Sequence, residues 1–147
     1  MGTNAGAAAY DTVCDTEGDS WAAGTWKAFV STNTTAAMAV ITPSATYVRA
    51  DGIAVGTGAQ LLTGVGLETG PWMSAGGGYH FTVGRILTGS ATPMMMGADA
   101  TTCMNWGDTG GTMTGGREAD VDAWWTTGPT LVGCNLAESR NVYCVEQ

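Results

Sequence analysis

The side chains best suited to acid–base chemistry lie in the second half of this sequence. His80 is the only histidine, and it stands in the apolar run YHFTV without an adjacent Ser or Cys nucleophile motif. A structural role therefore explains it better than catalysis does. Glu118, Asp120 and Asp122 have the carboxylates of an acid and base pair, but their spacing is equally typical of a solvated loop. We expect a protein that is not an enzyme.

Oxygen-bearing side chains form a second candidate site. Carboxylates and amide carbonyls are the ligands that Ca²⁺ prefers in proteins. The sequence supplies them at Asn105, Asp108, Glu118, Asp120 and Asp122. The pattern is suggestive only, so no cofactor is predicted and calcium stays open as an alternative.

Six tryptophans are many for 147 residues, and exposed indole rings can stack on sugars or anchor a protein partner. We predict that Trp21, Trp26 and Trp106 pack in the core. Trp124 and Trp125 are adjacent, and neighbouring residues of an extended chain point to opposite faces. If this segment is extended, one of the two rings faces solvent and is the best single candidate for a ligand contact.

The cysteines are an even set, and no two of them form a CxxC pair: Cys14, Cys103, Cys134 and Cys144. Zinc sites and thioredoxin-like centres usually contain such a pair, so disulfides are the better interpretation. Disulfides persist mainly in oxidising compartments, which predicts an extracellular or cell-surface location. Four cysteines allow three pairings, and their spacing does not choose among them.

Short elements separated by many turns must position these side chains. Helices are predicted over 5–17 and 34–40, and strands over 25–31, 79–87 and 141–147. The strand over 25–31 has a period of two, in which residues 26, 28 and 30 alternate with residues 25, 27 and 29. The Asp51-Gly52 pair predicts the turn of a hairpin over 45–56. The Gly/Thr-rich stretch over 109–116 predicts a loop. The consecutive methionines at 94–96 are predicted to fill the core.

The composition is typical of a single α+β domain over residues 1–147, because 44% of the residues are hydrophobic, 12% are charged and 23 are glycine. Five scattered basic residues against 13 acidic ones, a net charge of −8, make nucleic acid and polyanions poor partners. The acidity alternatively serves solubility alone. No apolar run is long enough for a membrane span. The first residues lack the features of a signal peptide, so we expect a mature or trimmed form of a secreted protein.

Several segments, taken in order, resemble the endostatin domain and its bacterial relatives, the leptospiral endostatin-like proteins. They are Cys14 in its helix, GTWKAFVS at 24–31, YVRADG at 47–52, CMNW at 103–106, and Cys134 leading into NVYCVEQ at 141–147. The match covers nearly the whole chain, although the Gly-rich part over 56–100 fits loosely. The resemblance implies a C-type-lectin-like fold with a mixed twisted sheet, one or two short helices and long loops. It also implies nested disulfides, Cys14–Cys144 and Cys103–Cys134.

Two properties of that family do not carry over. Vertebrate endostatin binds zinc through N-terminal histidines and heparin through an arginine-rich face, and this sequence has neither feature. Sugar-binding C-type lectins use Glu-Pro-Asn or Gln-Pro-Asp together with Trp-Asn-Asp, which residues 105–108 match only by rearrangement.

The expected function is extracellular recognition of a glycan, or of a matrix or host glycoprotein, through the loops over 107–130. The predicted ligand contacts are Asn105, Asp108, Asp120, Asp122, Trp124 and Trp125. The alternative is a structural subunit of a surface filament or cell-envelope assembly, in which the chain associates with itself.

Overall fold

The computed structural model describes residues 6–71, 73–74, 78, 85–107, 110–117, 124–125, 131–134 and 141–147. Within these residues the protein is an α+β structure of short helices and short strands. The helices are α1 (Ala7–Gly18) and α2 (Gly58–Thr63), with single 3₁₀ turns at Ala37–Val40 and Asp99–Thr101. The strands are β1 (Trp26–Ala28), β2 (Thr46–Val48), β3 (Ala54–Thr57), β4 (Arg85–Leu87), β5 (Thr112–Arg117), β6 (Leu131–Gly133) and β7 (Cys144–Glu146). The predictions for His80, Asp108, Glu118, Asp120 and Asp122 fall outside the described residues.

The described strands pair in three small antiparallel sheets rather than in one mixed sheet. Strand β1 pairs with β7, β2 pairs with β3, and β5 lies between β4 and β6. A hydrogen bond of 2.7 Å from the Phe29 amide to the Tyr143 carbonyl extends the β1–β7 pair, and a parallel bridge between Ile86 and Asn141 connects the segment before β7 to the β4–β5–β6 sheet. The two chain ends and the middle of the sequence therefore meet around β1 and β7.

Helix α1 packs along β1 and satisfies backbone donors of that strand. Oδ1 of Asp15 accepts a hydrogen bond of 3.1 Å from the Trp26 amide, and Oδ1 of Asp11 accepts one of 2.9 Å from the Ala28 amide. Because an unpaired strand edge invites association with other chains, this helix protects β1. The helix predicted over 5–17 is confirmed, whereas the helix predicted over 34–40 is reduced to the 3₁₀ turn at Ala37–Val40.

Two buried clusters lie on opposite sides of the segment over 26–30. Phe29 belongs to the first cluster, and Trp26, Ala28 and Val30 belong to the second. The period-two alternation predicted for this segment is therefore confirmed. The first cluster also contains Ala37, Ile41, Val55, Leu61, Leu62, Ile86, Trp124, Trp125, Tyr143 and Val145. The second also contains Cys14, Leu87, Cys103, Trp106, Met113 and Cys134.

The YVRADG motif forms the predicted hairpin and contains a buried ion pair. Gly52 has a φ of 80°, the left-handed conformation that favours glycine. The Arg49 guanidinium donates to both oxygens of the Asp51 carboxylate, at 3.1 and 2.6 Å, and to Oγ1 of Thr69 at 3.1 Å. Only 4% of the Arg49 side chain and 18% of the Asp51 side chain are exposed. The motif therefore encodes both the turn and its internal charge pair.

The loop predicted over 109–116 is wrong for most of its length, because Thr112–Arg117 forms β5, the middle strand of the β4–β5–β6 sheet. Gly116 serves close packing instead of a turn. A Cβ atom at Gly116 would overlap the backbone carbonyl of Trp124. Glycine within a strand often marks a position where another backbone approaches closely, and that is the reason here.

Helix α2 was not predicted, although its start carries a local signal. Thr57 and Gln60 form a reciprocal capping box, in which the Gln60 amide donates to Thr57 Oγ1 at 3.3 Å and the Thr57 amide donates to Gln60 Oε1 at 2.7 Å. Gly64, with a φ of 69°, ends the helix.

Candidate functional site

All four cysteines form disulfides in the nested pattern that the resemblance implied. Cys14 pairs with Cys144, and Cys103 pairs with Cys134. The first bond joins α1 to β7, and the second joins the region after Ala98 to the end of β6. The second bond therefore closes a covalent ring of the chain that includes residues 107–130, the predicted contact region.

The segment Cys103–Trp106 is a left-handed turn. Its four residues have φ angles of 52°, 51°, 55° and 66°, and Met104 and Asn105 have ψ angles of 56° and 45°. This conformation costs residues other than glycine roughly 1–2 kcal/mol each. Such strain persists only where the surrounding structure imposes it, and it is concentrated at functional sites.

Three contacts impose this conformation. The Cys103–Cys134 disulfide holds the first residue of the turn. The Trp106 ring is buried, and its Nε1 donates a hydrogen bond of 3.0 Å to the Ser31 carbonyl. Oγ1 of Thr102 accepts from the Asn105 amide at 3.0 Å. The disulfide therefore holds the first residue of the turn, the Trp106 ring holds the last, and the Thr102 side chain binds the amide of Asn105 between them.

Asn105, a predicted ligand contact, organises the neighbouring loop. Its Oδ1 accepts a hydrogen bond of 3.1 Å from the Asn33 amide, and Asn33 Nδ2 donates to Asp99 Oδ1 at 2.9 Å. Within the described ranges no three His, Cys, Asp or Glu side chains come together as a metal site. The alternative of calcium ligation by Asn105 with Asp108 and the carboxylates over 118–122 stays open, because those carboxylates lie outside the described residues.

The prediction that Trp124 or Trp125 faces solvent is wrong. Their exposed fractions are 2% and 4%, because the pair forms a bend instead of a strand and both rings turn inward. The Trp125 Nε1 donates to the Ser90 carbonyl at 2.9 Å, and the Trp124 ring stacks on Phe29 with centroids 5.9 Å apart. Both rings therefore serve the core, and neither lies at the surface as a ligand contact.

The core prediction for the other tryptophans is confirmed for Trp26 and Trp106, which are 6% and 2% exposed. It is wrong for Trp21, which packs against Trp26 with centroids 5.3 Å apart but stays 39% exposed.

The prediction that residues 94–96 fill the core is also wrong. These three methionines are 51%, 54% and 58% exposed, and two more methionines in neighbouring segments are 42% and 56% exposed. We call this set the methionine face; it consists of Met38, Met94, Met95, Met96 and Met104. The sequence signal that was missed is the run itself, because three consecutive residues of a turn or strand cannot all point into one core.

The backbone beneath the methionine face is a hydrogen-bonded unit of three segments, 31–38, 92–97 and 103–106. The Met38 amide donates to the Pro93 carbonyl at 2.9 Å, and the Gly97 amide donates to the Thr32 carbonyl at 2.8 Å. The Asn33–Asn105 bond joins the third segment. The exposed methionines therefore project from a fixed support.

Buried serine hydroxyls reinforce that support. Ser31, with no exposed surface, donates from Oγ to the Met95 carbonyl at 2.9 Å. Ser90 Oγ lies 2.8 Å from Ser31 Oγ and 2.7 Å from the Thr92 carbonyl. Hydrogen-bonded buried polar groups of this kind specify one backbone arrangement.

The described charges are unbalanced toward acid. The two cations with described side chains are both in ion pairs: Lys27 with Asp11 at 3.3 Å, and Arg49 with Asp51 at 2.6 Å. Apart from Asp51, whose carboxylate is paired with Arg49, the exposed acidic residues of the described part are Asp15, Glu17, Asp19, Glu68, Asp99 and Glu146. Among them, Asp99 lies between the segments that carry the methionine face.

The chain matches no protein-family model and no curated protein. No helix in the part of the chain that the structure describes is both long and apolar enough to cross a bilayer.

Proposed function

We propose that this protein is an extracellular, non-catalytic recognition domain of the C-type-lectin-like class, related to the endostatin-like proteins. It binds a matrix or host glycoprotein through the methionine face, together with the contact region predicted from the sequence over 107–130. The observation that carries this proposal is the display of five exposed methionines on a backbone fixed by the strained turn at Cys103–Trp106. The two disulfides support an oxidising, extracellular location.

The contact chemistry favours the protein part of a glycoprotein over a free glycan. Aromatic rings can stack on sugars, but Trp106, Trp124 and Trp125, the described tryptophans in and beside the predicted contact region, are all buried. Trp21 is 39% exposed and packs against Trp26. Methionine side chains are flexible and polarisable, and they are enriched at protein interfaces and at adaptable binding surfaces. In this proposal Asn105, which lies next to Met104 in the turn, supplies a polar contact, and Asp108, Asp120 and Asp122 stay predicted polar contacts of the same ligand.

The absence of catalysis belongs to the proposal as well. All four cysteines are oxidised, which removes the thiol nucleophiles that the sequence offers. The strained left-handed turn at Cys103–Trp106 carries the exposed Met104 and positions Asn105. These are features of a contact surface.

The test is an array of matrix glycoproteins and free glycans probed with three proteins. They are the wild type, the triple variant Met94→Ser/Met95→Ser/Met96→Ser, and the control Ile53→Ser/Val65→Ser, which changes apolar residues that are 49% and 72% exposed elsewhere. We expect glycoprotein binding by the wild type and the control, and loss of binding by the triple variant. Equal binding by all three proteins, or binding confined to free glycans, would contradict the proposal.

A structural subunit is the second candidate, because the same exposed methionines can pack between copies in a filament. Size-exclusion chromatography over a range of protein concentrations separates the two functions. A monomer that binds the array supports recognition. Concentration-dependent assembly that the triple methionine variant abolishes supports the structural subunit instead.

A further inference from the structure

The net charge of −8 indicates which kind of partner segment the protein attracts. We infer that the partner segment that docks on the methionine face is cationic and carries apolar side chains. This inference rests on the proposed function and deepens it, because it specifies which part of a protein partner the site accepts.

Both cations whose side chains the structure describes are held in ion pairs within the chain. Lys27 and Arg49 are each engaged by a carboxylate of the same chain, Asp11 and Asp51. The net charge is −8, and the exposed carboxylates of the described residues face solvent. A surface potential of this sign accelerates the approach of cationic partners and repels anionic ones.

An exposed carboxylate is bound to the backbone segments that carry the methionine face. Asp99, which is exposed, is bound to the same support, because its Oδ1 accepts a hydrogen bond of 2.9 Å from Asn33. An ionised carboxylate has about four acceptor positions, so one bond from Asn33 leaves capacity for a cationic group of a partner. The site thus offers thioethers for apolar side chains and a carboxylate for a lysine or arginine.

The net charge of the chain disfavours a second copy of the same chain as the occupant of the methionine face. Two copies would bring together two bodies that each carry a net charge of −8. Like-charge juxtaposition opposes such pairing, whereas a cationic segment gains attraction on the same surface. Charge complementarity therefore favours a basic partner over self-association.

The experiment uses three synthetic peptides of equal length and measures their affinity for the full chain by fluorescence anisotropy. The first contains lysine and leucine, the second has glutamine in place of lysine, and the third has serine in place of leucine. We expect the first to bind, and the other two to bind about tenfold more weakly or worse. Raising the salt from about 0.05 M to about 0.5 M weakens binding of the first peptide.

Variants of the protein test whether the first peptide binds at the methionine face. The triple variant Met94→Ser/Met95→Ser/Met96→Ser is expected to lose about tenfold in affinity for the first peptide, and Met38→Ser/Met104→Ser to show a comparable loss. Asp99→Asn keeps the acceptor oxygen for Asn33 but removes the charge, so it reduces both affinity and salt dependence. Glu68→Gln, an exposed carboxylate beside the β2–β3 hairpin, is the matched control and is expected to leave affinity unchanged.

Each negative outcome has a distinct meaning. Equal affinity for the lysine and glutamine peptides overturns the cationic requirement, and equal affinity for the leucine and serine peptides overturns the apolar one. If no peptide binds while arrayed glycoproteins still bind in a methionine-dependent manner, this inference fails and the proposed function stands. If neither binds, both fail.

Discussion

The backbone carbonyl of Trp124 lies against Gly116 so closely that a Cβ atom at residue 116 would overlap it. Gly116 is in β5, the middle strand of its sheet, and Trp124 is in the first buried cluster. The contact therefore fixes the position of the cluster relative to the sheet.

Gly116→Ala is expected to lower the free energy of unfolding by about 1–3 kcal/mol or more, because backbone atoms cannot move aside as a flexible side chain does. Urea denaturation followed by tryptophan fluorescence measures the change. Gly111→Ala is the matched control, since its nearest atoms would lie at 3.6 Å, an ordinary contact distance. Equal stability of the two variants would show that the close approach does not constrain the fold.

The buried pair of Arg49 and Asp51 gives a second prediction. Asp51→Asn keeps the shape of the side chain but leaves a guanidinium that is 4% exposed without its counter-charge. Breaking a fully buried pair costs about 3–5 kcal/mol, and because 18% of the Asp51 side chain is exposed we expect a loss at or below the lower end of that range. The Lys27–Asp11 pair is the comparison, because both of its side chains are about a third exposed and Lys27→Gln is expected to cost less than about 1 kcal/mol.

Thermal and urea unfolding of both variants tests this difference. A loss from Asp51→Asn no larger than that from Lys27→Gln would mean that the YVRADG hairpin is not held by its internal charge pair. Retention of the hairpin in such a variant would then assign its stability to the backbone turn at Gly52.

Short sequence patterns correctly predicted the elements whose conformation depends on neighbouring residues in the chain. The alternation around β1 and the Asp51-Gly52 turn follow from backbone periodicity and from a positive φ, so both were predicted correctly. The disulfide pairing came from the resemblance, since spacing leaves three pairings open. These features require no knowledge of what packs against them.

The errors concern residues whose environment comes from distant segments. Strand β5 was predicted as a loop because its glycines look like turn residues, although Gly116 is needed for the approach of Trp124. The exposed residues of the candidate site were missed for a related reason. Hydrophobicity alone predicts burial for Met94–Met96, whereas a turn bound to Ser31 directs them outward.

Because Trp125 is buried, substituting it is expected to test the stability of the core and not ligand binding. Trp125→Ala removes a ring that is 4% exposed and a hydrogen bond to the Ser90 carbonyl, so the expected loss of stability is about 3–5 kcal/mol. Any loss of ligand binding in this variant would follow from unfolding. Trp21→Ala, which truncates a ring that is 39% exposed, is expected to cost clearly less. Circular dichroism during heating compares them, and similar melting temperatures would contradict the core role of Trp125.

Asn105 combines a left-handed backbone with a hydrogen bond to the Asn33 amide, and two substitutions separate these roles. Asn105→Ala loses the side-chain acceptor and also places a poorly suited residue at a φ of 55°. Asn105→Gly loses the same acceptor but accepts that φ without steric cost. If backbone strain governs the turn, the alanine variant is less stable than the glycine variant by about 1 kcal/mol, although glycine has more conformational freedom when unfolded.

Urea denaturation gives the two free energies of unfolding, and the glycoprotein array gives binding. We expect both variants to bind more weakly than the wild type, because the Asn33 loop loses its tie to the turn that carries Met104. A glycine variant that is both stable and fully active in binding would show that the Asn105 side chain does not organise the methionine face. A glycine variant less stable than the alanine variant would show that the left-handed conformation of this turn is not what limits its stability.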